Sequence, residues 1–219
     1  MTVTPHPLWP LFDLRLRTER LVLRLPTDDD LVELAAVARA GVHPPGEMPF
    51  AFPWSTLPSP AFERGFIQYH WQRRGSWTPE DWVLDLQVEL DGRPIGMQGI
   101  GAKQFRVHRT INSGSWLGAA YQGRGYGKEM RGAILALAFD GLDAQVAETE
   151  AFDDNERSNA VSRSLGYEPN GIGRLAPEGV ARNTVRYRMT EEIWRSRARP
   201  RTVIEGLEGC LELFGVGVD

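Results

Sequence analysis

The sequence predicts an α/β fold in which a mixed β-sheet carries helices on both faces. Three observations carry that reading. Stretches of alternating apolar and polar residues recur along the chain, an Asp91-Gly92 pair joins two of them as a hairpin, and helical periodicity intervenes between others. The order, a strand and a helix, then a meander, then two strand–helix units, brings strands of both directions into one layer with helices above and below.

With 219 residues, the chain is long enough for one domain with a sizeable core. Its 42% apolar and 25% charged content is ordinary for a soluble globular protein. Twenty-five Lys and Arg against 29 Asp and Glu give a net charge of −4, which points away from nucleic acid and membrane surfaces. Cys210 is the single cysteine, so no disulfide framework exists and a reducing, cytoplasmic setting is expected. Residues 1–10 lack the charged start and apolar core of a leader peptide, and no run approaches the ~20 apolar residues that cross a bilayer. His6, His43, His70 and His108 are scattered without ligand spacing, so no metal is expected.

Along the chain, Leu14 to Arg24 reads as a strand, and Thr27 opens a helix with a Thr27/Asp30 capping box and a Leu31, Leu34, Ala35, Ala38 stripe. Residues 41–81 are an insertion rich in Pro and aromatics; Ser59-Pro60 can start a helix through about Arg73. The segment reads either as packing against the sheet or as a lid. Trp82 to Leu90 alternates cleanly and turns at Asp91-Gly92 into Pro94 to Gly101. A basic loop at 102–109 leads to a strand at Ile111 to Gly118, a helix from Tyr126 to about Phe139, a strand to Phe152, a helix from Asn155 to Leu165 and a last strand through Val185, Tyr187 and Met189. Residues 1–195 form the domain. In the extension at 196–219, Ile204, Leu207, Leu211 and Phe214 recur at helical spacing, predicting a docked helix; this spacing and the aromatic insertion also motivate self-association into a homo-oligomer.

The stretch from Trp116 to Lys128 holds Gly123, Gly125 and Gly127 just ahead of a helix. Glycines let several N–H groups turn toward one point, the helix N-terminus adds partial positive charge, and Arg124 and Lys128 add full charges, which makes an anion cradle. It is not a P-loop, because Glu129 follows Lys128, and not a dinucleotide loop, because Lys128 holds the place of the third glycine.

Gln122, Gly125 and Gly127 resemble the Gln-x-x-Gly-x-Gly signature of the GNAT superfamily of acyl-CoA-dependent N-acyltransferases. Thr18 to Arg24 resembles the first strand of its Rim-type subgroup, the ribosomal-protein N-acetyltransferases and their relatives. Asn155-Glu-Arg-Ser158, with Val161, Leu165, Gly166 and Tyr167 following, resembles the second signature, in which an Asn and a Ser begin the helix beside the pantetheine arm. The resemblance implies the GNAT fold, with a mixed, mostly antiparallel central sheet, and acyl-CoA as co-substrate without a metal. It implies that Trp116, Leu117, Gly118, Gln122, Gly123, Arg124, Gly125, Tyr126, Gly127, Lys128, Asn155 and Ser158 bind coenzyme A, the amides of Trp116 to Gly118 holding the thioester carbonyl.

The implied reaction is direct attack of a primary amine on the thioester, with Ser158 as the candidate to protonate the sulfur and Tyr167 as its rival. Many relatives carry Glu on the strand before the cradle, where Asn112 and Ser113 stand here. Glu148 and Glu150 share a strand face and are the candidates for accepting the amine proton. The absent strand carboxylate keeps open a second class, an acyl-CoA-binding sensor or protein-interaction subunit without catalysis. Residues 113–118, 48–50 and 9–14 resemble actinobacterial members suggested to use succinyl-CoA rather than acetyl-CoA; Lys103, Arg106, His108 and Arg109 are then candidates to meet the succinyl carboxylate.

Overall fold

The computed structural model describes residues 6–217. Residues 1–5, on which part of the leader-peptide reading rests, lie outside that range. The first alternation changes parity, with Leu14 and Leu16 at even positions and Leu21 and Leu23 at odd ones. Thr18 to Arg20 accordingly make a turn, and the expected single strand is an antiparallel pair, β1 (Arg15–Arg17) and β2 (Leu21–Arg24). Thr27 caps α1 (Asp28–Arg39) through the Thr27/Asp30 capping box, worth about 1 kcal/mol. Within the insertion, α2 (Ala61–Gly75) packs Phe62 and Phe66 with Leu31, Leu34 and Ala38 of α1 onto Met97.

The hairpin of β3 (Asp81–Leu90) and β4 (Arg93–Lys103) turns at Asp91 (φ 51°) and Gly92 (φ 76°), two left-handed residues as a tight two-residue turn requires. A four-residue helix, α3 (Phe105–His108), sits in the basic loop before β5 (Thr110–Leu117). After the cradle come α4 (Tyr126–Ala136), extended by a wider π-type turn at Leu137–Gly141, and β6 (Val146–Phe152). Asn155 caps α5 (Glu156–Leu165), and Gly166 ends it at φ 97°. Next is β7 (Glu168–Leu175), which has almost no buried residue and therefore none of the alternation that would have announced it. It pairs at the sheet edge with β8 (Arg182–Thr190), followed by α6 (Glu191–Ser196).

The tail departs from the expected helix. Gly206, at φ 73°, separates β9 (Val203–Glu205) from a run of 3-10 turns at Glu208–Phe214, so the helical spacing arises from two different elements. Cys210 and Phe214 are fully buried, Phe214 lying edge-on to Trp77 and Trp82. Of the apolar residues that motivated self-association, those of the tail pack on the chain's own core, as do Phe50, Trp54, Phe62 and Phe66 of the insertion, whereas Phe52 and Trp71 are exposed.

Among the described residues the sheet has nine strands in the order β7-β8-β6-β5-β4-β3-β2-β1-β9. Every neighbouring pair is antiparallel except β5 and β6, which the crossover through α4 makes parallel. The two faces are covered by different helices. α1 and α2 lie over β3 and β4 on one side, while Met130, Ile134 and Leu137 of α4 and its extension join Leu84, Leu86, Ile100, Ile111 and Ala147 in the larger core on the other.

Candidate functional site

The parallel pair is where the sheet opens. Its register runs from Thr110↔Val146 to Ser113↔Thr149, yet β5 continues to Leu117 and β6 to Phe152. Beyond Ser113, β5 stays paired to β4 while β6 stays paired to β8, so the two strands part. The phase of the β4–β5 ladder decides which amides face the gap. Gly118 N–H donates to Ile95 O at 2.9 Å. In an antiparallel ladder alternate residues share that direction, so Trp116 also points to β4 while Ser115 and Leu117 point into the opening. Of the three amides expected to hold a carbonyl, only that of Leu117 is aimed to do so; Ser115, which the sequence reading missed, is the second.

A buried cation closes the floor of the opening. Arg131 of α4 is 4% exposed and donates from Nη1 to Thr149 Oγ1 (3.1 Å) and from Nη2 to Ser115 Oγ (3.2 Å). Thr149 Oγ1 donates in turn to Ser113 O (3.0 Å), so one guanidinium ties both strands at the point where they diverge. Among the described residues no carboxylate lies within 4.0 Å of it. The Tyr167 hydroxyl lies beside Arg131 and Ser113, with burial raising its pKa and those two neighbours opposing the rise.

Above the opening, Gly123 (φ 73°) and Gly125 (φ 82°) hold left-handed angles, and Gly125 is the N-cap of α4. The N–H groups of Tyr126, Gly127 and Lys128 have no preceding turn to bond to and point out of the helix end. Arg124 and Lys128 are exposed there. Gln122 plays another part: its Nε2 donates to Val42 O and Leu117 O, both at 2.8 Å, its Oε1 accepts from Arg157 Nη1 at 2.9 Å, and its own N–H goes to Ala119 O. It buckles the cradle to β5, α5 and the segment after α1, rather than facing a ligand. Arg20 stacks on the Tyr126 ring at 4.5 Å and pairs with Glu129 at 2.6 Å, fixing the first turn of α4 to the β1–β2 turn. Burial works against the Glu129 anion, but Thr18 and Arg20 hold its carboxyl below the usual range.

The first turn of α5 faces the cradle across the opening. Asn155 Oδ1 accepts from Ser158 N–H at 3.2 Å, so Asn155 is a cap and Ser158 sits half-buried in that turn. On the α2 side of the sheet, the alternation of β3 to β6 brings Asp85, Gly99, Gly101, Asn112, Gly114, Glu148 and Glu150 to one face. Gly114 has nothing within 4 Å of where a Cβ would stand, so a shallow groove runs across the glycines to the opening. Glu150 is committed to Arg186 (3.4 Å) and to the Thr184 hydroxyl, while Glu148 lies in register with Arg188. Residues 42–57 roof the upper end, from Val42 at the Gln122 buckle to Met48 O, which accepts from Arg182 Nη1 at 2.7 Å.

Lys103, Arg106, His108 and Arg109 are not part of this constellation. They lie in α3 and beside it, at the opposite end of β5 from the cradle, and an eight-residue strand at ~3.3 Å per residue separates the two by roughly 25 Å. Arg109 donates to Leu142 O and His108 contacts Gln104 Oε1. A residue adjacent in sequence to the functional strand is thus carried to its far end. No group of three or more His, Cys, Asp or Glu able to hold a metal occurs among the described residues, and none of their helices is long and apolar enough to cross a membrane.

An opened parallel pair under a glycine-lined helix N-terminus is the hallmark of one class of fold, and the comparison with known families agrees. Residues 20–168 match the family model described as "Acetyltransferase (GNAT) domain", and the chain belongs to that family. Solved structures with the same fold include RimJ of Mycobacterium smegmatis in complex with CoA-disulfide (TM-score 0.67, 18% identity, 93% of this chain and 95% of that one). Others are a putative ribosomal-protein-serine acetyltransferase from Vibrio cholerae (0.64, 22%, 84% and 99%) and a putative acetyltransferase from T. thermophilus (0.66, 21%, 90% and 95%).

Proposed function

We propose that this chain transfers an acyl group from acyl-coenzyme A to a primary amine by direct attack. The observation that carries this reading is the separation of β5 from β6 beyond Ser113, directly below the unpaired amides of residues 126–128. The amides from Gly123 to Lys128, with Arg124 and Lys128, take the pyrophosphate. The pantetheine arm enters the opening between the first turns of α4 and α5, and Ser115 and Leu117 N–H receive the thioester carbonyl, where negative charge develops on attack. The amine nitrogen approaches from the glycine groove, its lone pair forms the C–N bond, the C–S bond breaks, and Ser158 protonates the departing sulfur. Tyr167, at the floor beside Arg131, is the alternative proton donor.

The acyl group is acetyl or succinyl. A succinyl carboxylate would emerge on the groove face, where Arg186 and Arg188 of β8 replace the misplaced loop residues as its partners. The acidic rim of Asp85, Glu148 and Glu150 suits a cationic amine, and abundant acyl-CoA suits a cytoplasmic setting. Thiol release from acetyl-CoA and succinyl-CoA, followed with a thiol-reactive dye against peptides with free N-termini, lysine and polyamines, tests this. Amine-dependent release supports it. Tight coenzyme A binding with no release against any amine would instead favour a silent binding subunit, the reading that Asn112 and Ser113, standing where relatives carry a carboxylate, keep alive.

A further inference from the structure

The most unusual polar group on the groove face is Asp85. Its side chain is 15% exposed, one carboxylate oxygen, Oδ2, is buried without a hydrogen-bond partner, and among the described residues no Arg or Lys reaches it within 4.0 Å. His70 Nδ1 stands 3.9 Å from that oxygen. Burial, with Arg74 and Arg73 adding to it, pushes His70 down to about 4, so the ring is neutral and the contact is no ion pair. A carboxylate left this way in a core costs stability unless something else requires it.

Its surroundings point toward the reaction. Asp85, Gly99 and Gly114 are in register across three strands. Oδ1 leans over Gly99, 2.6 Å from where a Cβ would stand, and beyond it Gly114 leaves the floor clear. With strands ~4.8 Å apart, the carboxylate lies on the order of 5–8 Å from the edge of the opening, a span one or two waters bridge. From α2 it is faced by Tyr69, whose hydroxyl favours its anion, by neutral His70 and by Arg73, with Arg74 acting on His70; on this face β4 presents Met97 beside Gly99 and Gly101. Tyr69 is 43% exposed.

We propose that Asp85 accepts, through water, the proton that the acceptor amine sheds, taking the part that Asn112 and Ser113 cannot. This rests on the acyl-transfer reading. The ammonium proton passes along the water to the carboxylate, the freed lone pair attacks, and the neutral carboxylic acid returns its proton to solvent after the amide leaves. Burial raises the Asp85 carboxyl to about 6, with Arg73 and Tyr69 opposing, so it is an anion at neutral pH yet far more basic than an exposed aspartate.

The test uses Asp85→Asn in the full chain with acetyl-CoA, comparing n-butylamine, protonated at pH 7.5, with hydroxylamine, which is not. The expected result is a fall in kcat/KM of about 10²–10³ with n-butylamine, little change with hydroxylamine, and unaltered acetyl-CoA affinity by calorimetry. Tyr69→Phe, which removes a hydroxyl that favours the anion, is expected to move the acidic limb of the wild-type pH profile upward. Independently of turnover, the Asp85 carboxyl carbon resonance is expected to titrate near 6 and to shift when n-butylammonium is added. Equal losses with both nucleophiles, or a resonance that ignores the ammonium, overturn the proposal. A wild-type chain that binds acetyl-CoA but releases no thiol with either amine sinks the acyl-transfer reading itself.

Discussion

Asp85 Oδ1 occupies space that any side chain at position 99 would need, 2.6 Å from the ideal Cβ of Gly99. Gly99 has no left-handed backbone angle, so what it contributes is the absence of a side chain. Gly99→Ala is expected to displace the carboxylate and lower kcat about tenfold or more, with the acyl-CoA dissociation constant unchanged. Steady-state kinetics paired with calorimetry decides; undiminished turnover would show that the carboxylate position is immaterial.

A carboxyl whose folded pKa is raised, from 3.8 to about 6, adds stability that is fully present below 3.8 and lost as pH rises through 6. His70 does the opposite: lowered from 6.5 to about 4, it adds stability above 6.5 that is lost as pH falls through 4. The wild-type chain should therefore show a flat response between pH 4 and 6. Asp85→Asn should be more stable than wild type at pH 7, by at most about 3 kcal/mol, and should expose the His70 slope on acidification. Urea unfolding at a series of pH values reads both; parallel curves for the two proteins would contradict this.

Arg131 is a buried cation compensated by hydroxyls instead of a carboxylate, and desolvating such an ion costs several kcal/mol. Arg131→Met is expected to raise the melting temperature of the ligand-free protein while reducing turnover, because the two strands lose their tie at the foot of the opening. A lower melting temperature with intact turnover would refute the assignment.

At Gly125, φ is 82° and a Cβ would meet Arg20 Nη2 at 3.4 Å. Gly125→Val combines roughly 1–2 kcal/mol of left-handed strain with a methyl pair pushed into the anion cradle. Loss of measurable coenzyme A binding in a folded protein is expected, and circular dichroism supplies the folding control. Unchanged affinity would mean that the cradle lies elsewhere.

Deleting residues after Pro200 removes β9, Cys210 and Phe214 from the core around Trp77 and Trp82. The expected outcome is a melting temperature lower by several degrees, on a loss of about 3–5 kcal/mol for the Phe214 site alone. Sedimentation should show the same association state before and after; a fall in mass beyond the deleted residues would instead support self-association through the tail.

Much of the frame was legible because local chemistry dictated it. Thr27 with Asp30, Asp91 with Gly92, and Asn155 with Gly166 each announce a helix start, a turn or a helix end in a few residues, and the glycines at 123–127 have few other uses. What was illegible depended on pairs far apart in sequence. β7 buries too little to alternate, and the phase of the β4–β5 ladder, which turns Ser115 and Leu117 inward, is fixed by a bond to Ile95. Asp85 is one polar position in an alternating strand until α2 closes over it, and nothing local marks Arg131 as buried until Thr149 and Ser115 meet it. The basic loop misled because its charge was legible and its distance along β5 was not.

The pairing of β9 with β1, Arg15 with Glu205 and Arg17 with Val203, sets an order on the birth of the molecule. The β1–β2 hairpin is made early by the ribosome, but its outer edge has no partner until residues 203–205 have emerged, nearly the whole chain later. Through that interval Leu14 and Leu16 belong to an open strand edge whose neighbours in a crowded cell are other nascent chains. Arg15 and Arg17, set on either side of Leu16, place like charges along that edge and discourage two copies from meeting before the tail arrives.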